Sequence, residues 1–172
     1  IVILTLCRLL SKYFKQQPLL YQNMDSLAMK PIEGRLQTAE HILAKIIETK
    51  IEDAKVGIAK FSDESGILEI ITKVDLRTLD QNEIQNEVNK VISKNLAVNK
   101  YVKNRDEAEK EVNLSKVPKN IRDIRIVEIV GFDKRSCKDP HVDNTSQIGE
   151  FRILSLKRVG KDRYRFVFEV VD

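Results

Sequence analysis

Ile121-Arg-Asp-Ile-Arg-Ile-Val-Glu-Ile-Val130, continued by Gly-Phe-Asp-Lys-Arg-Ser and then Cys137-Lys-Asp-Pro-His141-Val-Asp-Asn144-Thr145-Ser-Gln-Ile-Gly149, is the stretch that decides how this chain folds. Its first part interleaves Ile121, Ile124 and Ile126 with charge and then turns mostly apolar. That pattern predicts a strand that ends up central in a sheet. The second part sets a thiol and an imidazole four residues apart, in a loop that ends in Asn, Thr and Gly. Cysteine and histidine are soft metal donors, and those turn residues suit a tight backbone path.

Working outward, Phe151–Val159 and Arg163–Val171 largely alternate and are joined by Gly160-Lys-Asp, which predicts a hairpin. Upstream, Val98–Val102 is a short strand candidate, and Asn104 followed by Glu107 opens a charged helix to about Asn113. Thr78 to Gln81 and Asp80 to Glu83 each match a capping box ahead of an amphipathic helix carrying Ile84, Val88, Val91, Ile92 and Leu96. Val56–Phe61 and Ile67–Lys73, joined through Ser-Asp-Glu-Ser-Gly, predict an earlier hairpin. Before it, Leu36, Ala39, Leu43, Ile46 and Ile47 recur on one helical face. The sum is an α+β domain, an antiparallel sheet with helices packed mainly on one side.

That first helix carries Gln37-Thr-Ala-Glu-His41. At about 100° per residue, Gln37 and His41 share a side roughly opposite the apolar stripe, so the imidazole faces solvent or a cleft. His41, Cys137 and His141 are therefore candidate zinc ligands, and three protein donors with an open fourth place is the pattern of catalytic zinc.

The 172 residues suffice for one cored domain, and 42% apolar with 33% charged residues excludes wholesale disorder. We expect residues 31–172 to form that domain and 1–30 to be an N-terminal extension; its apolar run at Ile1–Cys7 is too short to span a bilayer. Only two cysteines, Cys7 and Cys137, point to a reducing compartment and a cytoplasmic location. Residues 24–130 hold 18 basic and 19 acidic side chains, whereas 131–165 hold nine basic against five acidic. The positive excess around the Cys/His loop suits a polyanion such as nucleic acid. No serine nucleophile motif, P-loop or dinucleotide fingerprint stands out.

The two motifs resemble a known family. Gln37-Thr-Ala-Glu-His41-Ile-Leu is similar to the His-Thr-Ala-x-His-Leu-Leu motif of the alanyl-tRNA synthetase editing domain, and Cys137-Lys-Asp-Pro-His141-Val-Asp-Asn144-Thr145 with Ile148-Gly149 to its Cys-x-x-x-His motif. The freestanding AlaX editing proteins and the second additional domain of threonyl-tRNA synthetase share the pair. The resemblance covers about residues 31–172, and the short length is most similar to the small AlaX proteins. It implies an editing-domain-like fold and hydrolysis, in trans, of the ester linking serine or glycine to alanine tRNA. It implies His41, Cys137 and His141 as metal ligands, with Asn144 and Thr145 shaping the pocket floor. Lys134, Arg135 and Lys138, with other basic residues, would hold tRNA phosphates by charge alone. The implied partners are the acceptor end of misacylated tRNA and a synthetase, with neither DNA nor a membrane.

Gln37 departs from the motif, because an amide oxygen is a weaker zinc donor than imidazole. Three readings stay open: Gln37 bonds a water at a zinc site; the water is held by His41, Gln37 and backbone without metal; or the chain binds tRNA without cleaving it. A fourth, in another class, is a structural metal site that staples a loop in an unrelated protein.

Overall fold

A computed structural model describes residues 31–172, and the expected extension, with Cys7, lies outside the described residues. Helix α1 spans Pro31–Lys50, strand β1 Lys55–Phe61, β2 Gly66–Ile71, α2 Gln81–Ile92 and β3 Val98–Asn104. A one-turn helix α3 at Arg105–Ala108 precedes β4 (Asp123–Ile129), β5 (Asp133–Ser136), β6 (Glu150–Gly160) and β7 (Arg163–Val171).

These strands form two antiparallel sheets rather than one: a four-stranded sheet ordered β1-β2-β7-β6 and a three-stranded sheet ordered β3-β4-β5. Both expected hairpins are present, the second turning at Asp162, whose φ of 55° closes the tight loop. α1 lies against β1, β2 and β7, and α2 against β6, so the helices cover one face of the larger sheet. Leu36, Leu43 and Ile47 of α1 meet Phe151, Phe166 and Phe168 of β6 and β7 in the main core.

β4 occupies the middle of the smaller sheet, as its apolar run predicts. Its side chains divide by parity: Ile124 and Ile126 enter a minor cluster with Ala108, Val112 and Leu114, while Val127 and Ile129 enter the main core. A strand buried on both faces has no polar side, which explains the loss of alternation after Arg125. The charged helix expected to Asn113 stops at Ala108, because Ala108 is its only buried residue and little packing rewards extension. Two turns then tuck Val112 and Leu114 inward.

Asp80 caps α2 as predicted, accepting from the Asn82 and Glu83 amides. Asn89 of α2 holds the start of β6 through both amide and carbonyl of Phe151, and Gln85 accepts from Ile153. Gly149 sits at φ 82°, and a Cβ there would lie 2.1 Å from the Val171 carbonyl oxygen. Glycine is the residue this close, left-handed entry into β6 admits.

Candidate metal centre

His41 sits on α1 inside the helical layer, whereas Cys137 and His141 follow β5 on the loop of the smaller sheet. Two contacts seat that loop on the helix. Thr38 donates its hydroxyl hydrogen to the Gly34 carbonyl and accepts from the Val142 amide at 3.2 Å. A Cβ at Gly34 would stand 3.4 Å from the His141 carbonyl carbon, so the small residue lets helix and loop backbones approach. The loop therefore covers the side of α1 that the apolar stripe leaves polar. Gln37 and His41 are 5% and 2% exposed and face a protein wall instead of solvent.

The loop is braced from the sheet side by two cations. Arg125 donates from Nη1 to the carbonyls of Cys137 at 2.8 Å and Asp139 at 2.9 Å. Lys100 donates to the carbonyls of His141 and Val142 and pairs with Asp143. The Asp139 carbonyl also accepts from His141 Nδ1 at 2.9 Å, which puts the proton on Nδ1 and leaves Nε2 as a lone-pair donor.

His41 and His141 bring their Nε2 atoms to 3.3 Å. With Cys137 Sγ, the three donor atoms lie within 4.8 Å of one another. Bonds of about 2.0–2.3 Å in a tetrahedral shell put donors roughly 3.3–3.7 Å apart, so the histidine pair already has the spacing of a zinc site. His41 Nδ1 is buried without a hydrogen-bond partner and points toward Asp133 Oδ2 at 3.9 Å. That is the setting of a ligating imidazole whose far nitrogen turns to a carboxylate. The residues present fit a zinc ion.

Burial governs the ionisation of the cluster. It drives His41 well below the ordinary histidine range, with His141 beside it acting in the same sense. It lowers His141 to about 4 and pushes the Cys137 thiol up to about 12. Both imidazoles are neutral donors at pH 7, and Cys137 must give up a proton to bind a cation. Glu40, next to His41, is raised to about 7, first by burial, against the pull of Arg135.

Asn144, Thr145 and Lys134 form their bonds with groups outside the donor cluster, whereas Arg135 stands beside it and pairs with Asp133. Asn144 caps a short 3-10 turn at Thr145–Ile148 and donates to the Asn95 carbonyl. Thr145 is fully buried, donating to the Ile92 carbonyl and accepting from the Leu96 amide. Their contacts pin the loop to the end of α2. Lys134 pairs with Glu111 and Glu128, and Arg135 with Asp133 and Glu48, so each cation already has carboxylate partners within the protein. Lys138 is exposed and makes no ion pair among the described residues. Sequence reasoning missed Glu40, Thr38, Arg125 and Lys100; a carboxylate amid apolar helix positions was the one available signal, at Glu40.

The fold is α+β with a His/Cys/His donor set, and comparison with known proteins shows what the chain resembles. Residues 124–167 match the family described as the threonyl and alanyl tRNA synthetase second additional domain. The chain is 30% identical over 146 residues to the alanyl-tRNA editing protein AlaX-M of Methanosarcina barkeri, covering 80% of this chain and 58% of that protein. It is 30% identical over 139 residues to the alanine–tRNA ligase of Methanopyrus kandleri, covering 77% of this chain and 15% of the ligase. With the threonine–tRNA ligase of Halobacterium salinarum it shares 32% over 124 residues, covering 68% of this chain and 19% of the ligase. The resemblance to the alanyl-tRNA synthetase editing-domain family thus extends over most of the chain, while the chain spans less than two thirds of the AlaX-M relatives it matches.

Proposed function

We propose that the chain is a trans-editing deacylase that hydrolyses the ester of misacylated tRNA, with serine or glycine on alanine tRNA as substrate. One observation carries the reading: residues 100 positions apart, His41 and His141, meet with Cys137 in a buried donor cluster, in a chain similar to alanyl-tRNA editing proteins. His41, Cys137 and His141 would hold zinc, and Gln37, one helical turn before His41, lies on the same side of the helix. Zinc, when held, supplies a Lewis acid that lowers the pKa of water at neutral pH.

An aminoacyl ester is already activated, so orientation of the water and exclusion of bulk solvent suffice without a protein nucleophile. The Asp139 carbonyl keeps His141 in the donor tautomer, and Arg125 keeps that carbonyl in place. Lys138, Lys157, Lys161 and Arg163, exposed and outside any ion pair among the described residues, are available to acceptor-stem phosphates. We place the protein in the cytoplasm with tRNA; no described helix is long and apolar enough to cross a membrane.

Gln37, in the position of the motif's first histidine, favours a second reading, an acceptor-end binding module without turnover. The similarity to a threonine–tRNA ligase keeps a threonyl-type editing domain beside it. Deacylation of seryl alanine tRNA, with and without chelator and beside a Gln37→His variant, separates them. Turnover that chelator abolishes and Gln37→His raises is the expected result. Bound tRNA with no turnover in either form would leave the binding module and sink the deacylase.

A further inference from the structure

α1 and α2 fill one face of the four-stranded sheet, and the register between its strands fixes what stands on the other. Residues directly opposed in antiparallel strands point to the same side. The buried pairs Leu68–Phe166, Ile70–Tyr164 and Leu156–Phe166 mark the inner side. By the same register Lys55, Lys60, Arg152, Lys157, Arg163 and Arg165 belong to the outer side, with Glu69, Glu150 and Glu169 as its acidic residues. The described residues as a whole hold 26 basic against 25 acidic side chains. Six against three on a single face therefore concentrates positive charge there.

Arg165 pairs with Glu69, and Arg152 with Glu150. Lys55, Lys60, Lys157 and Arg163 are exposed and make no ion pair among the described residues. Lys55 and Arg163 share one cross-strand row, two strand spacings or about 10 Å apart, while Lys157 and Lys60 stand in the next two rows of that face. Cations spread across a sheet in this way suit an extended polyanion better than a single phosphate. A second copy laid face to face would set the same cations against one another, which is unfavourable. The four strands contain no Asn or Gln, and their aromatic residues Phe61, Phe151, Tyr164, Phe166 and Phe168 all belong to the inner side. The outer face thus has no ring on which an unpaired base could stack and no side-chain amide to read adenine.

We infer that the outer face of the four-stranded sheet is a docking surface for the phosphate backbone of double-helical RNA, an assignment that takes from the tRNA reading above only that the nucleic acid is RNA. Its cations position a duplex by charge and do not read its sequence. The donor cluster is carried by α1 on the inner side, so a duplex held here needs neither an unpaired 3′ end nor an amino acid.

The test titrates the full chain into a dye-labelled, blunt-ended RNA duplex at a series of salt concentrations and reads fluorescence anisotropy. The logarithm of the binding constant is expected to fall linearly with that of salt, by about 0.9 for each phosphate engaged. Lys157→Gln with Arg163→Gln should reduce that slope by roughly 2 and weaken low-salt binding at least about tenfold. Lys94→Gln with Lys119→Gln removes the same charge from exposed positions off the sheet and should change neither. Circular dichroism checks that each variant is folded, and a duplex of unrelated sequence should bind alike. No binding at low salt, an equal loss in both double variants, a DNA duplex bound more tightly than the RNA, or capture by anionic lipid vesicles in place of the RNA would each overturn the assignment. Hydrolysis of seryl alanine tRNA by the wild type, measured separately, shows whether the deacylase reading stands when this surface fails or falls when it holds.

Discussion

At the residue scale, the donor cluster is made by burial as much as by residue type. His141 is held near pKa 4 because its imidazole is 3% exposed and its protonated form is poorly solvated there. A histidine whose folded pKa lies below its unfolded value of about 6.5 binds fewer protons when folded, so stability is lost as pH falls from about 6.5 through 4. Glu40, raised to about 7, acts in the opposite sense, its penalty being relieved as pH falls from about 7 to 4.5. In the metal-free protein, His141→Asn should flatten the acid side of the stability profile by on the order of 3 kcal/mol between pH 6.5 and 4. Urea midpoints taken across that range decide it, and an unchanged slope would mean that His141 charges freely in the folded state.

At the scale of the element, the Cys137-to-His141 loop has no regular structure of its own and depends on donors from its neighbours. Arg125 of β4 and Lys100 of β3 hold its carbonyls, Thr38 of α1 holds the Val142 amide, and Thr145 ties its end to Ile92 and Leu96. Replacing Arg125 with Met removes two carbonyl partners and frees the group that orients His141. Zinc affinity, read by competition with a chelating dye, should fall by about 10–100-fold while both hairpins stay folded. An affinity within twofold of wild type would show that Lys100 and Thr38 suffice.

At the scale of the whole molecule, a metal bound here joins two layers. His41 belongs to the helix that covers the four-stranded sheet, and Cys137 and His141 belong to the loop of the three-stranded sheet. An ion held from both sides stabilises the folded state by mass action, about 2.7 kcal/mol at a hundredfold excess over Kd. Added zinc should therefore raise the melting temperature, chelator should reverse the rise, and His41→Ala should abolish it. A rise that persists in His41→Ala would place the ion elsewhere.

Periodicity alone carried much of this fold. The parity of β6 and β7, the cap at Asp80, the helix spacing from Leu36 and the apolar run of β4 are local consequences of side-chain period, and each element forms where its pattern stands. The donor types at 41, 137 and 141 were equally legible, because thiol and imidazole chemistry does not depend on context. Tertiary structure alone decided the rest: that the strands divide into two sheets, that a loop buries the polar side of α1, and that Lys134 and Arg135 already have carboxylate partners. It also decided that Glu40 is buried beside His41. Burial, pairing and pKa belong to contacts between residues far apart in the chain, and no local pattern records which of those contacts form.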